Sequence, residues 1–342
     1  HFGSSLANNK CAQSTEYWNS VSIMEHGGNK DPEGARGGKF RGVRISYLLG
    51  QFCHVDFADI LAEKPDALVY DIEPRIRELT QDTPCPRQKD HPRHGSALVD
   101  WLNDDHAGLA TVMLSYGWGY KVHTITQALE AYCDRKGLNP HHVTTWICCL
   151  CVNQHEVLEA RHRGEEVPFD KFREIFGDRV KGIGNVLALL SPWQNPLYIT
   201  RVWCLFELFE ATANADVSLE VILPHSEHKD LQQAVAAEGM TELWRTLSAL
   251  DIRNASASVD SDRENIFRLI EEGPGFAKLN GDVATRLGDW FADVCRELVE
   301  SRESIDGRRH TSTLTSLSNL GQLLRNQGKF SEAEPFLRRA LE

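Results

Sequence analysis

Trp203 and Glu207 stand four apart in the run ITRVWCLFELFEATA, so on a helix they share a face, a carboxylate beside an indole. A positioned carboxylate can stabilise charge developing on a sugar carbon or hold ribose hydroxyls, and an indole face suits a flat, partly cationic ring. Each residue also has a plainer reading: Glu207 as a helix residue paired with Arg201 or Lys121, and Trp203 as core. Glu210, nearly one turn on, is a rival acid. A second group, Ser115, Tyr116, Gly117, Trp118 and Gly119, follows an apolar run at 111–115. Loops at strand ends are where a doubly wound sheet binds ligands, and two glycines let backbone approach a phosphate. No G-x-G-x-x-G or Walker pattern accompanies them.

Cys148, Cys149, Cys151 and His155 crowd together and raise the question of a metal. If 144–152 is a strand, Cys149 and Cys151 face one way and Cys148 the other, so one tetrahedral site cannot readily use all three. We expect buried thiols that pack as small apolar residues, and no metal. Cys204 is placed either for a lowered pKa near a helix start or for packing.

The elements that must position these residues read as alternating strands and helices. Strands are expected at 111–115, 144–152, 185–190 and 218–223, with helices at 124–135, about 169–181, and from Thr200, whose hydroxyl would cap the helix. The 185–190 run is bracketed by Gly184 and Ser191-Pro192 and suits a strand buried on both faces. Consecutive crossovers should be right-handed.

Strand, Ser-Pro turn and Trp203-Cys204-x-x-Glu207-Leu208 resemble the Trp-Cys-x-x-Glu-Leu element of TIR domains, and Met113-Leu114-Ser115-Tyr116 resembles their first strand. Residues 107–224 are similar to TIR-like domains fused to kinesin-light-chain-type repeats in protist and algal proteins. The resemblance implies an α/β fold with a flavodoxin-like parallel sheet. It further implies NAD+ as a substrate rather than a retained cofactor, with cleavage of its nicotinamide-ribosyl bond dependent on Glu207. On that reading Ser115, Tyr116, Gly117, Trp118 and Trp203 would contact NAD+, and Glu207 and Trp203 would line an open cleft with the 116–119 loop. Two departures from the pattern stand out. No Asp occurs at 117–121, and the Arg-Asp-x-x-Pro-Gly loop is replaced by the charged segment 153–168.

The formal charge of −12, from 37 Lys and Arg against 49 Asp and Glu in 342 residues, argues against a nucleic-acid or anionic-membrane surface. No apolar run reaches the ~20 residues of a membrane helix. Nine cysteines, an odd number, three of them crowded into one segment, favour reduced thiols and a cytoplasmic protein. The chain begins at His1 rather than Met, so its natural N-terminus is expected to be missing and targeting is left open.

Five stretches follow: an irregular Gly-rich and charged arm at 1–42, an extension at 43–106 packing on the sheet, the α/β domain at 107–224, a helical region at 225–305, and an incomplete tetratricopeptide repeat at 306–342. Helices are expected at 231–250, 262–272 and 283–300. In the repeat, Leu317, Leu320, Gly321 and Leu324 hold the W-x₂-L-G-x₂-Y offsets, with Ala333 and Ala340 at the later small positions. Its wording resembles a kinesin-light-chain repeat. Ser331 and Glu334 read as a capping box for its second helix. A lone repeat cannot bury its apolar face, so further repeats, or the helical region, should pack against it. Two functions are therefore expected to compete: an NAD+ glycohydrolase controlled by assembly through the repeats, or a non-catalytic scaffold that self-associates and binds protein partners.

Overall fold

The computed structural model describes residues 33–86, 94–163, 169–238, 251–257 and 260–342. Residues 1–32 of the expected arm, 164–168 of the charged segment and 239–250 of the expected helix at 231–250 lie outside the described residues. Among the described residues six strands form one mixed sheet: β1 (Arg41–Arg44), β2 (Ala107–Leu109), β3 (Val112–Ser115), β4 (Thr144–Trp146), β5 (Asn185–Leu189) and β6 (Ser218–Ile222), in the order β2-β1-β4-β3-β5-β6. The last four in that order run parallel, in registers that include Met113 with Trp146, Ser115 with Ala188, and Ala188 with Val221.

Helices α1 (Val69–Thr80), α2 (Val122–Lys136), α3 (Phe169–Ile183) and α4 (Val202–Ala213) follow in chain order, the last three linking successive parallel strands. The apolar faces that spacing assigns to α2 are buried at Ile125, Ala128, Leu129 and Tyr132. Gly137 ends α2 at φ 63°, a left-handed position at which glycine carries no Cβ penalty.

The sheet is not wholly parallel, because β1 joins it antiparallel to both β4 and β2. Arg-Gly-Val-Arg has no alternation to betray a strand. What seats it is side-chain chemistry that periodicity does not read. The Arg41 guanidinium is buried and donates to the Val99, Gly34 and Leu102 carbonyls at 3.0, 2.7 and 3.2 Å. Gly42 lets the strands close up, since a Cβ there would sit 2.7 Å from the Thr145 carbonyl oxygen.

The expected strand at 144–152 stops at Trp146, and Cys148–Cys151 wind into a helical turn. The Ile147 carbonyl accepts the Leu150 and Cys151 N–H groups at 3.0 and 2.8 Å, so the turn satisfies backbone that no neighbouring strand pairs. A short apolar run does not by itself distinguish strand from helix. The face-alternation argument for the cysteines therefore falls. Among the described residues no cluster of three or more His, Cys, Asp or Glu could hold a metal ion, and the eight described cysteines are free thiols.

Beyond the sheet the described residues are mostly helical: α5 (His225–Glu238), α6 (Asp260–Glu272), α7 (Phe276–Ile305), α8 (Thr311–Asn326) and α9 (Phe330–Arg339). Leu279, Val283, Leu287, Trp290, Phe291, Val294 and Leu298 make a buried stripe along α7 at spacings of three and four. No described helix is long and apolar enough to cross a membrane.

Helices α8 and α9 pack as an antiparallel pair, with Leu317, Leu320, Gly321, Leu324 and Ala333 buried. The expected capping box at Ser331 does not form. Gly328, at φ 76°, turns the chain so that the Lys329 N–H reaches the Leu324 carbonyl at 2.9 Å, and α9 starts at once from Lys329. Ser331 is thereby already inside the helix.

At Gly321 a Cβ would meet the Leu337 side chain at 2.6 Å. Gly321→Val should therefore destabilise the α8–α9 pair by about 1–3 kcal/mol through overpacking. Faster amide exchange across 330–339 would register the loss, and unchanged protection would refute it.

Candidate active site

Ser115 ends β3, and its side chain lies on the sheet face that α4 covers. Glu207, in the second turn of α4, reaches down to it, and the two side chains are hydrogen-bonded through Ser115 Oγ and Glu207 Oε2. Ser115 Oγ also lies 3.0 Å from the Tyr198 hydroxyl, which donates to the Cys204 carbonyl at 3.2 Å. Tyr198 comes from a 3-10 turn, Leu197–Thr200, that joins β5 to α4, and its own N–H is held by the Tyr120 hydroxyl at 3.1 Å. These groups meet at the carboxyl end of the parallel strands.

Glu207 is 5% exposed and has no ion-pair partner among the described residues. Lys121, one of its two expected partners, pairs instead with Asp66 at 2.7 Å. Burial without a cation pushes the Glu207 carboxyl up to about 8, against the pull of the Ser115 hydroxyl in the other direction.

The hydroxyl geometry agrees with a protonated acid. With Tyr198 donating to Cys204, Ser115 can donate to the Tyr198 oxygen only if the carboxyl donates to Ser115. Protonated Glu207 thus heads a chain that runs through Ser115 and Tyr198 to a carbonyl and leaves no donor idle. An acid so placed does not stand in an open cleft, contrary to expectation. The apolar face of α4 carries it into the interior, where Cys204, Leu205 and Leu208 are buried with it.

The remaining expected residues separate. Tyr116 is buried, and Cys148 Sγ bonds its hydroxyl at 3.4 Å while accepting the Trp118 indole N–H at 3.3 Å. The Trp118 ring packs against Tyr70, with centroids 5.5 Å apart. Burial, with Glu207 close by, pushes the Cys148 thiol up to about 11, which makes it a poor nucleophile. Burial likewise holds Cys204 well above its ordinary value, so its place near a helix start does not activate it.

Gly117 passes close to Arg201, whose Cγ would be 3.3 Å from a Cβ at that position. The Trp203 indole donates to Asp262 at 3.0 Å, and its ring lies against Phe176 and Phe206 with centroids 5.6 and 5.8 Å away. Ser115 and Glu207 are therefore brought together, while Trp203 is engaged with α3 and α6. The rival acid Glu210 is paired with Lys181 at 2.9 Å.

Thr200 does not cap α4. Its hydroxyl donates to the Leu197 carbonyl at 2.7 Å, and the helix starts one residue later, from Arg201. Tyr198 was missed by spacing, and its signal was faint: a tyrosine between a strand end and a helix start, in NPLYITR. A second acid missed in the same way, Glu227, is bonded to the Ser191 hydroxyl and to the Trp193 N–H at 3.2 Å. Burial raises its pKa.

A family model for the tetratricopeptide repeat matches residues 313–342, which are helices α8 and α9. This type of repeat supports protein-protein interaction. Neither a curated protein nor a solved structure matches the chain.

Proposed function

We propose that this chain is a protein-interaction module whose TIR-like sheet carries a latent NAD+ glycohydrolase site, closed in the form described. The repeat at 313–342 supports the interaction half of this reading, with self-association and protein partners engaged through its helices. The order second, first, third, fourth along β4-β3-β5-β6 is that of a flavodoxin-like sheet, which supports the TIR-like assignment of 107–224. The extension at 43–106 and the helical region at 225–305 frame that domain.

One observation carries the catalytic half: a buried carboxyl, without a counter-ion among the described residues, at the carboxyl end of parallel strands, where perturbed acids mark functional sites. Ionised, Glu207 would stabilise the oxocarbenium-like ribosyl centre as the nicotinamide bond opens. Ser115, Tyr116, Gly117, Trp118 and Trp203 would contact the dinucleotide once α4 and the loop after β3 part. No metal or retained cofactor is required for that step. Assembly through the repeats is the event that opens the site.

Incubation with NAD+ at rising protein concentration, with nicotinamide followed by chromatography, tests this directly. Release should appear only in assembled forms. It should rise with pH through the Glu207 titration of the open form, because the ionised form does the work. Glu207→Ala should lose at least about a hundredfold in rate. Oligomers that release no nicotinamide would leave the scaffold alone.

A further inference from the structure

Where α7 crosses the open edge of the sheet it does not close fully on β6. A cavity of about 160 Å³ remains between them. Its wall is apolar: Leu190 beyond β5, Leu208 of α4, Val221 of β6, and Leu287 and Trp290 of α7. Glu207 lies outside this wall, and Tyr198 is common to the two places. A dry apolar cavity of ~150 Å³ takes up benzene, so the space fits one aromatic ring.

The charged groups at this cavity are mostly acidic. Three carboxylates stand at its rim, and each already has a cation: Glu220 with Lys136 at 3.1 Å, Asp289 with Lys329 at 2.6 Å, and Asp293 with Arg296 at 2.6 Å. Arg286 is the exception, a half-buried guanidinium with no ion-pair or hydrogen-bond partner among the described residues. Trp290 is nine-tenths buried, and its indole N–H likewise has no acceptor among them. Buried donors are rarely left unmet in a native protein. What is missing is an acceptor, and beside an unpaired guanidinium the fitting acceptor is an anion.

We propose that the cavity between α7 and β6 is a binding site for a small aromatic carboxylate, its ring against Leu208, Leu287 and Trp290 and its carboxylate on Arg286. The site is separate from Glu207 and does not rest on NAD+ cleavage. A neutral ring would fill the cavity and offer Arg286 no anionic acceptor. An aliphatic cation would meet only carboxylates that are already paired.

Benzoate is the probe, titrated into the full chain by calorimetry, with benzyl alcohol as the neutral comparison. Benzoate should bind and benzyl alcohol should bind at least about tenfold more weakly. Arg286→Met, at a half-exposed position that keeps the helical stem, should weaken benzoate by about the same factor and leave benzyl alcohol unchanged. The Trp290 indole N–H resonance, identified by its absence in Trp290→Phe, should shift on addition of benzoate. The proposal is overturned by any of three results: no benzoate binding at millimolar concentration, equal affinity in Arg286→Met with native-like circular dichroism, or an unmoved Trp290 resonance.

Discussion

At pH 9, Glu207→Gln should require more urea to unfold than the native chain, and at pH 4.5 the two should unfold together. The glutamate titrates near 4.5 when unfolded and at about 8 in the folded chain. Below the lower value both states hold the proton and the acid favours neither. Between the two values the unfolded chain releases its proton while the folded chain keeps it, so stability falls as pH rises through that window and levels off above about 8. The full span corresponds to an order of ~5 kcal/mol. Glutamine is neutral throughout and its amide can donate to Ser115 as the protonated acid does, so the variant is spared the loss.

Other acids slope the opposite way. Pairing with His228 lowers Glu297, for example, which adds stability that is lost as pH falls. The difference between native and variant isolates Glu207 from them. Midpoints that track one another at both pH values would show that the carboxyl finds water or a cation, and the latent-site reading would lose its physical basis. If the prediction holds, the charge that destabilises the closed form is the one that the proposed cleavage needs in the open form.

Arg41→Met should cost about 3–5 kcal/mol, a large share of the ~5–15 kcal/mol that holds a typical domain together. Arg41 is 1% exposed, and three backbone carbonyls accept from its guanidinium. Asp104 accepts a fourth bond at 3.1 Å, but its carboxylate is 62% exposed and can turn to water. The carbonyls of Val99 and Gly34 have no other donor among the described residues, while that of Leu102 keeps the Arg36 guanidinium at 3.3 Å. Methionine keeps the apolar stem, so the experiment reads the lost hydrogen bonds rather than a cavity. Lysine would restore the charge and only part of the bonding, because three compact donors cannot span carbonyls that a planar fork reaches. Denaturant midpoints order the three proteins as Arg, Lys, Met. A methionine variant within about 1 kcal/mol of native would mean that β1 is seated by the sheet alone.

These two residues also mark where reading the chain one residue at a time succeeds and where it stops. Spacing placed Glu207 and Trp203 on one face of a helix, since a four-residue interval depends only on local geometry. It did not reveal the burial of Glu207, because exposure depends on how α4 settles on β3. The partner Tyr198 comes from a turn whose path no periodicity describes. Arg41 gave the opposite error. A charged residue in a Gly-rich, charged stretch reads as solvated, and only the three carbonyls gathered around it make an interior place for it. The Ser331 cap was locally plausible and lost to the Gly328 turn, which starts α9 early.

By itself the sequence determined the features that rest on short-range periodicity. These are the runs that become β3, β5 and β6, the helices between the parallel strands, and the tetratricopeptide pair, whose Leu-Gly spacing is a local packing rule. Tertiary structure alone decided that the sheet is mixed, that Cys148–Cys151 turn rather than extend, that Trp203 binds Asp262, and that Glu207 is buried against Ser115 with no cation beside it among the described residues. Each of these depends on groups far apart in the chain meeting where water is excluded. There the free energy of a charge or an unmet carbonyl is set by neighbours that sequence spacing does not reveal.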